Sequence, residues 1–380
     1  MEKIDDTRKK EKIFFPNLDG LRFLSFFSVF FFHIWVLMFD RYRLSGPTPR
    51  VVKFLFQNGE IGVNFFFVLS GFLITYLLIQ EKKITGKIHV ANFYIRRILR
   101  IWPLFYVCIL FGLVLYPLLK KVIGGELFVV AHPWTYFVFL NNFDFLKNGA
   151  PAIISVLWSV AIEEQFYLFW PLLLGLVPIK NYKFLLYSII CGSFIFRCFY
   201  FDNERVLQFH TLAVIGDMAL GGLFAYYIIF SEAFKQKIES ISTFIIVCIY
   251  TFAIILFLFR KEIFPGPLMV LERIVIAMVF GLIILEQNFS KNSFFKMSYF
   301  KFISKWGIYT YGLYCIHVIA IIFAEVAFKK AGFDMKNPFM LLLLTVIAFI
   351  VCMALAFISY NFFEKRFLKL KDKFAFIVKK

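Results

Sequence analysis

Few ionisable residues interrupt the apolar stretches of this chain, and their types and spacing suit proton transfer beside an anion site. The segment "LDGLRFLSFFSVFFFH" carries Arg22 and His33 in an otherwise greasy helix. At about 100° and ~1.5 Å per residue, they fall within roughly 20° of one face and about 16 Å apart along the axis. An arginine inside a span costs ~2.5–3.5 kcal/mol on insertion scales, so such groups normally face a polar interior or pathway. A second segment, "SVLWSVAIEEQFYLFWPL", sets Glu163 beside Glu164. Consecutive helical residues point about 100° apart, so one of the two glutamates faces His33 directly. Glu163 shares its face with Ser159, with Trp158 flanking that stripe. A carboxylate paired with a buried imidazole fixes its tautomer and stabilises the imidazolium formed on proton uptake. His33 is therefore the expected general base and Glu163 its orienting partner. The same spacing also fits a structural His–Glu bond that locks two helices.

A third segment, "NFYIRRILRIWPLFY", holds Arg96, Arg97 and Arg100, with 96 and 100 on one face. Taken as the start of a span, it offers phosphate three guanidiniums, free backbone N–H groups and the positive end of a helix dipole. Arginines at a membrane boundary also follow from topology alone. Arg22 reads either as a further cation or as a side chain snorkelling to the surface, and Asp19 as a helix N-cap. "GVNFFFVLSGFLIT" supplies Gly62, Asn64, Ser70 and Gly71, small residues that favour close helix packing. Ser70 lacks the surroundings of a nucleophile elbow. His317, in "YTYGLYCIH", either lines the same cavity or bonds across helices, and Arg197, Asp217, Arg273 and Glu325 are expected in ion pairs. No metal site is expected. Cys108, Cys191, Cys198, Cys248, Cys315 and Cys352 lie in or beside apolar runs without finger spacing, and read as buried thiols.

These residues must be positioned by membrane helices. Of 380 residues, 61% are hydrophobic and 56 are phenylalanine, well beyond what a soluble domain carries. Apolar runs long enough to cross ~30 Å of hydrocarbon predict ten spans. They fall at 17–39, 59–81, 98–119, 155–178, 183–201, 209–230, 240–259, 266–286, 302–328 and 339–363. The expected fold is an all-α, polytopic bundle of about ten transmembrane helices. Turn residues in "RLSGPTPR" and "FPGPL" break the runs. Lys and Arg are about twice as numerous on the N-terminal side of the predicted spans, which predicts cytoplasmic N- and C-termini. The net charge of +18 is scattered through short connecting segments, a pattern that suits lipid head groups rather than nucleic acid. The chain divides into a basic cytoplasmic segment (1–12), one transmembrane domain (13–370) and a basic cytoplasmic tail (371–380). No small-residue cleavage site follows "MEKIDDTRKKEK", so the first run reads as a retained helix. The segment 120–154 is too short for a catalytic domain and is expected to hold a short interfacial helix in "PWTYFVFLNNF".

In order along the chain, "LDGLRF…H", "GVNFFFVLSGFL", "FYIRRILRIWPLFY", "LWSVAIEEQFYLFWP", "TYGLYCIH" and "YNFFEKRF" resemble the acyltransferase-3 family of membrane O-acyltransferases. Arg22 and His33 match its Arg-x10-His signature, Arg96, Arg97 and Arg100 its cytoplasmic arginine cluster, and Trp158, Ser159 and Glu163 its Trp-Ser-x3-Glu block. Phe23 stands where members usually carry Gly, and Arg366 where many carry Pro. The resemblance implies transfer of an acyl group, most often acetyl, from cytoplasmic acyl-CoA to a hydroxyl of a cell-envelope or lipid-linked carbohydrate, in a bacterial inner membrane. The arginines and Arg22 would then hold the donor, His33 and Glu163 would do the chemistry, and Asp19, Ser70, Trp158, Ser159, Glu164 and His317 would support them. An acyl-histidine intermediate is a variant of that scheme. An appended esterase-like domain, which some members use, is not expected, so acceptor handling falls to the helices. The alternative that buried Arg, His and Glu leave open is a proton-coupled transporter or flippase of a glycan or small acid.

Overall fold

The computed structural model describes residues 15–44, 46–123, 130–149 and 151–374, so the predicted segment 1–12 and the end of the tail lie outside the described residues. Ten helices are long and apolar enough to cross a membrane, in the order and at the places the hydropathy predicts. We label them α1 (Pro16–Phe31), α2 (Ile61–Thr85), α3 (Val90–Leu110), α4 (Leu157–Leu176), α5 (Tyr182–Phe199), α6 (Thr211–Phe230), α7 (Thr243–Ile263), α8 (Met269–Phe289), α9 (Thr310–Lys330) and α10 (Pro338–Ile358). An even number of crossings puts the start of α1 and the end of α10 on one side, called here the terminal side. Among the described residues of the stretch 130–149, two short helices, Trp134–Phe137 and Asn141–Asn148, stand where one interfacial helix is predicted.

Helix starts are set by local chemistry. Pro16 opens α1 at a position where its missing N–H costs nothing, and Phe15, not Asp19, is the flanking residue. Asp19 therefore does not cap the helix. It sits in the first turn and pairs with Arg22 at 2.6 Å. Beyond Phe31 the backbone widens into a π-helical turn, Phe32–Val36, before a short helix Leu37–Tyr42. Such single-turn bulges re-aim side chains and often mark functional positions; this one carries His33.

Close backbone approaches tie the bundle together. A Cβ built on Gly71 of α2 would lie 1.9 Å from the Met218 carbonyl oxygen of α6, and one on Gly221 of α6 would lie 2.0 Å from the Val68 carbonyl oxygen. Gly62 is similarly pressed on α1, 2.4 Å from the Ser25 carbonyl oxygen. Only residues without side chains allow these approaches, and membrane helices associate largely through such packing. Nearby, Arg273 of α8 pairs with Asp217 of α6 at 2.5 Å, and Asn64 of α2 donates to the same carboxylate at 3.2 Å. Arg197 is held by the carbonyls of Leu207, Met269 and Val270 instead of an acid. Glu325 gathers Arg41 at 2.7 Å, Lys329 at 2.8 Å and the Tyr42 hydroxyl.

Two expectations change. The third span begins at Val90, eight residues before the predicted start, because "VANFYI" is apolar enough to extend the helix. Arg96, Arg97 and Arg100 thus lie beyond its first turn, where the dipole and free N–H groups no longer reach. Their attraction for anions is that of the guanidiniums alone. All six cysteines are free, but Cys191, Cys198 and Cys248 are exposed on the outer faces of α5 and α7. A thiol is apolar enough to sit on the lipid-facing surface, so an apolar run alone does not predict burial in protein.

Candidate active site

A cavity of about 320 Å³ opens between α1, α2, α3, α4 and α9. That is within the usual range for a small-molecule site. Along α2 its wall runs from Val63 to Glu81, which at ~1.5 Å per residue is about 27 Å, nearly the thickness of the hydrocarbon core. Toward the terminal side the wall is cationic, with Arg22, Arg96, Arg97 and Arg100. The middle of the wall includes Ser70, Glu163 and Tyr167, and the far part Val63, Phe66, Ser159 and Tyr314.

The arginines differ in what they hold. Arg22 is engaged by Asp19, and Arg96 lies 3.5 Å from Glu81, whose other oxygen is 3.0 Å from His89. Arg97 makes no hydrogen bond or ion pair among the described residues. Its guanidinium instead lies over the rings of Phe93 and Tyr167, 5.6 and 5.4 Å from their centroids, with Nε buried and unpartnered. Arg100 likewise has no hydrogen-bonded or ionic partner among them, and it is exposed. Burying a guanidinium nitrogen without a partner, as at Arg97 Nε, is costly, so this site is suited to an anion brought in from outside.

The two glutamates divide as their angular offset predicts. Glu163 faces the cavity, on the same stripe as Ser159, while Glu164 is buried behind it and accepts from the Trp102 Nε1 at 2.7 Å. Tyr167, one turn below Glu163, donates to it at 3.2 Å and is itself bonded to Ser70. Ser70 thus belongs to a hydroxyl–carboxylate chain as well as to a tightly packed helix. Trp158 is buried against Phe67 and Phe209 and does not reach the cavity wall.

His33 does not meet Glu163. Its neighbour is His317 of α9, with His317 Nε2 3.3 Å from His33 Nδ1. His317 Nδ1 lies 2.6 Å from the Tyr314 carbonyl oxygen, which can only accept, so that nitrogen carries the proton and Nε2 is left as an acceptor. His33 Nδ1 in turn lies 2.9 Å from the Val29 carbonyl oxygen, so it is protonated and shared between Val29 and His317. This leaves His33 Nε2 as the free basic nitrogen. The expected carboxylate–imidazole contact is therefore replaced by an imidazole–imidazole contact. Helical spacing aligns residues on one helix but does not say which neighbouring helix lies opposite. His317 is fully buried, whereas His33 keeps part of its surface exposed. Neither histidine lines the cavity; the Tyr314 ring, 5.7 Å from that of His317, does, and its hydroxyl is 2.7 Å from the Ser159 Oγ.

Several cavity residues escaped the sequence reading. Tyr167 continues the Ser159–Glu163 stripe at i+4, so its spacing was available. Tyr314 precedes His317 by three residues, also one face of a helix. Glu81 and Lys371 are ordinary charged residues at span ends, and nothing in their spacing marks them as lining a cavity. Among the described residues there is no cluster of His, Cys, Asp and Glu able to hold a metal.

Ten apolar helices around an arginine-mouthed cavity, with a histidine pair beside it, define a membrane-embedded protein whose cavity is suited to an anion. The chain belongs to the acyltransferase-3 family: residues 15–358 match its acyltransferase domain. Among curated proteins it is 34% identical over 194 residues to the peptidoglycan O-acetyltransferase OatA of Listeria monocytogenes, covering 48% of this chain and 28% of that protein. It is 32% identical over 242 residues to the O-acetyltransferase OatA of Staphylococcus aureus, covering 58% and 36%. A putative peptidoglycan O-acetyltransferase, YrhL of Bacillus subtilis, is 36% identical over 171 residues, covering 42% and 24%. The chain thus spans about a quarter to just over a third of the length of these relatives. No solved structure matches it.

Proposed function

We propose that this protein transfers an acetyl group from acetyl-CoA to a hydroxyl of a cell-envelope glycan, with His33 as general base. The relatives' names suggest peptidoglycan as the acceptor, and the membrane is then the bacterial cytoplasmic membrane with the terminal side facing the cytoplasm. The donor's phosphates bind at Arg97 and Arg100, with Arg22 and Arg96 nearby, through charge-assisted hydrogen bonds. Its pantetheine arm carries the thioester along the cavity to the far part at Tyr314, the lining residue next to the His33–His317 pair. His33 Nε2 takes the proton of the acceptor hydroxyl as the oxygen attacks the thioester carbonyl. A C–O bond forms, the C–S bond breaks, and the proton passes from the imidazolium to the departing thiolate. Ser70, Tyr167 and Glu163 form a polar waist that offers hydroxyl donors to that thiolate. His317 accepts from His33 Nδ1 beside the Val29 carbonyl and so helps to orient the ring, the task expected of Glu163.

The observation that carries this reading is Arg97, a half-buried arginine with its Nε buried and no anionic partner among the described residues, at the mouth of a cavity that nearly crosses the membrane. The test is His33→Ala in membranes supplied with acetyl-CoA, with O-acetylation of envelope glycan read by mass spectrometry. Loss of transfer with CoA binding retained is expected, and full transfer would overturn the mechanism.

A further inference from the structure

The helix Lys365–Lys371 and the turn Asp372–Phe374 lie past residue 358, where the matched acyltransferase region ends. Both pack against α3, the helix that bears the arginine cluster. Two of their groups reach the donor mouth. Lys371 lines the cavity, and the Phe374 carbonyl oxygen accepts from Arg96 Nη1 at 2.8 Å. The other terminal nitrogen of Arg96 is 3.5 Å from Glu81, so this arginine is held between a carboxylate and a neutral peptide oxygen. A phosphate oxygen is ionised and bonds a guanidinium more strongly than a peptide carbonyl does. An arriving phosphate would therefore compete for Arg96 with the very turn that follows Lys371.

On the reading above, that acyl-CoA phosphates bind the arginine mouth, we propose that this C-terminal segment is a wall of the donor site. Lys371 is a phosphate-binding residue for the nucleotide end of the donor. The Phe374 carbonyl holds Arg96 in its binding position until a phosphate oxygen takes its place. Lys371 is then the cation supplied to the donor from outside the family's matched region.

Equilibrium binding of radiolabelled CoA to the full chain in detergent tests this. Lys371→Ala is expected to weaken binding five- to tenfold and to flatten its dependence on salt concentration, because one fewer cation meets the phosphates. Lys371→Arg is expected to bind like the natural chain, which a purely structural role of the lysine stem would not require. Arg97→Ala, run alongside, tests the underlying reading. If Arg97→Ala weakens CoA binding and Lys371→Ala does not, the wall proposal fails and the arginine mouth stands. Equal weakening in Lys371→Ala and Lys371→Arg also overturns the proposal. No effect of Arg97→Ala overturns the arginine mouth itself, and the wall proposal with it.

Discussion

At the residue scale, the strongest statement concerns which nitrogen of His33 is free. Two carbonyl oxygens, of Val29 and Tyr314, fix the protons of both imidazoles on Nδ1. His317 then serves His33 as a neutral acceptor, where many catalytic histidines use a carboxylate. His317→Ala should lower the turnover number by roughly 10²-fold while leaving the Kd for CoA unchanged. His317→Gln, whose amide oxygen can still accept from His33 Nδ1–H, should recover part of the loss. A fall in CoA affinity that matches the fall in turnover would assign His317 to packing. Arg22 and His33, Glu163 and Ser159 are each aligned by spacing within one helix, and that much was readable from sequence. The His33–His317 contact was not, because it depends on how α1 and α9 are set against each other in height and rotation.

At the element scale, the site depends on helices that end or distort in particular places. The π turn Phe32–Val36 falls where α1 carries His33 and the widened backbone leaves its ring beside α9. The early start of α3 removes the dipole from the anion site and leaves Arg97 to act through charge and ring stacking. Hydropathy located both helices. It could not locate the bulge or the true start, since neither changes the mean apolarity of the span. The α2–α6 crossing makes the sharpest stability prediction. Gly71→Leu would force its side chain into the Met218 backbone, and overpacking of this kind costs roughly 1–3 kcal/mol or more. The melting temperature of the detergent-solubilised variant should drop by several degrees. Gly175→Leu, at a position with open space around its Cβ, should melt close to the natural chain. Equal losses for the two would remove the crossing as the source of stability.

At the scale of the whole molecule, ten spans and their order follow from apolar runs that no other arrangement could bury. What sequence did not disclose is that five of those helices enclose a cavity almost as long as the membrane is thick. Its cationic residues gather on the terminal side, while the exposed part of His33 lies toward the opposite end of α1. A molecule so polarised should accept donor from one side and acceptor from the other. In sealed vesicles of defined orientation, radiolabelled acetyl-CoA should support acetyl transfer only when added to the side that holds the chain termini. The label should leave as the acetyl group, with CoA itself never crossing the membrane. A transporter would instead need a sealed compartment and would carry its substrate across intact, whereas transfer from acetyl-CoA should persist in detergent, where no compartment exists. Transfer that is equal from both faces would mean that the arginine end is not the donor's way in, and the sidedness built into this cavity would then need another purpose.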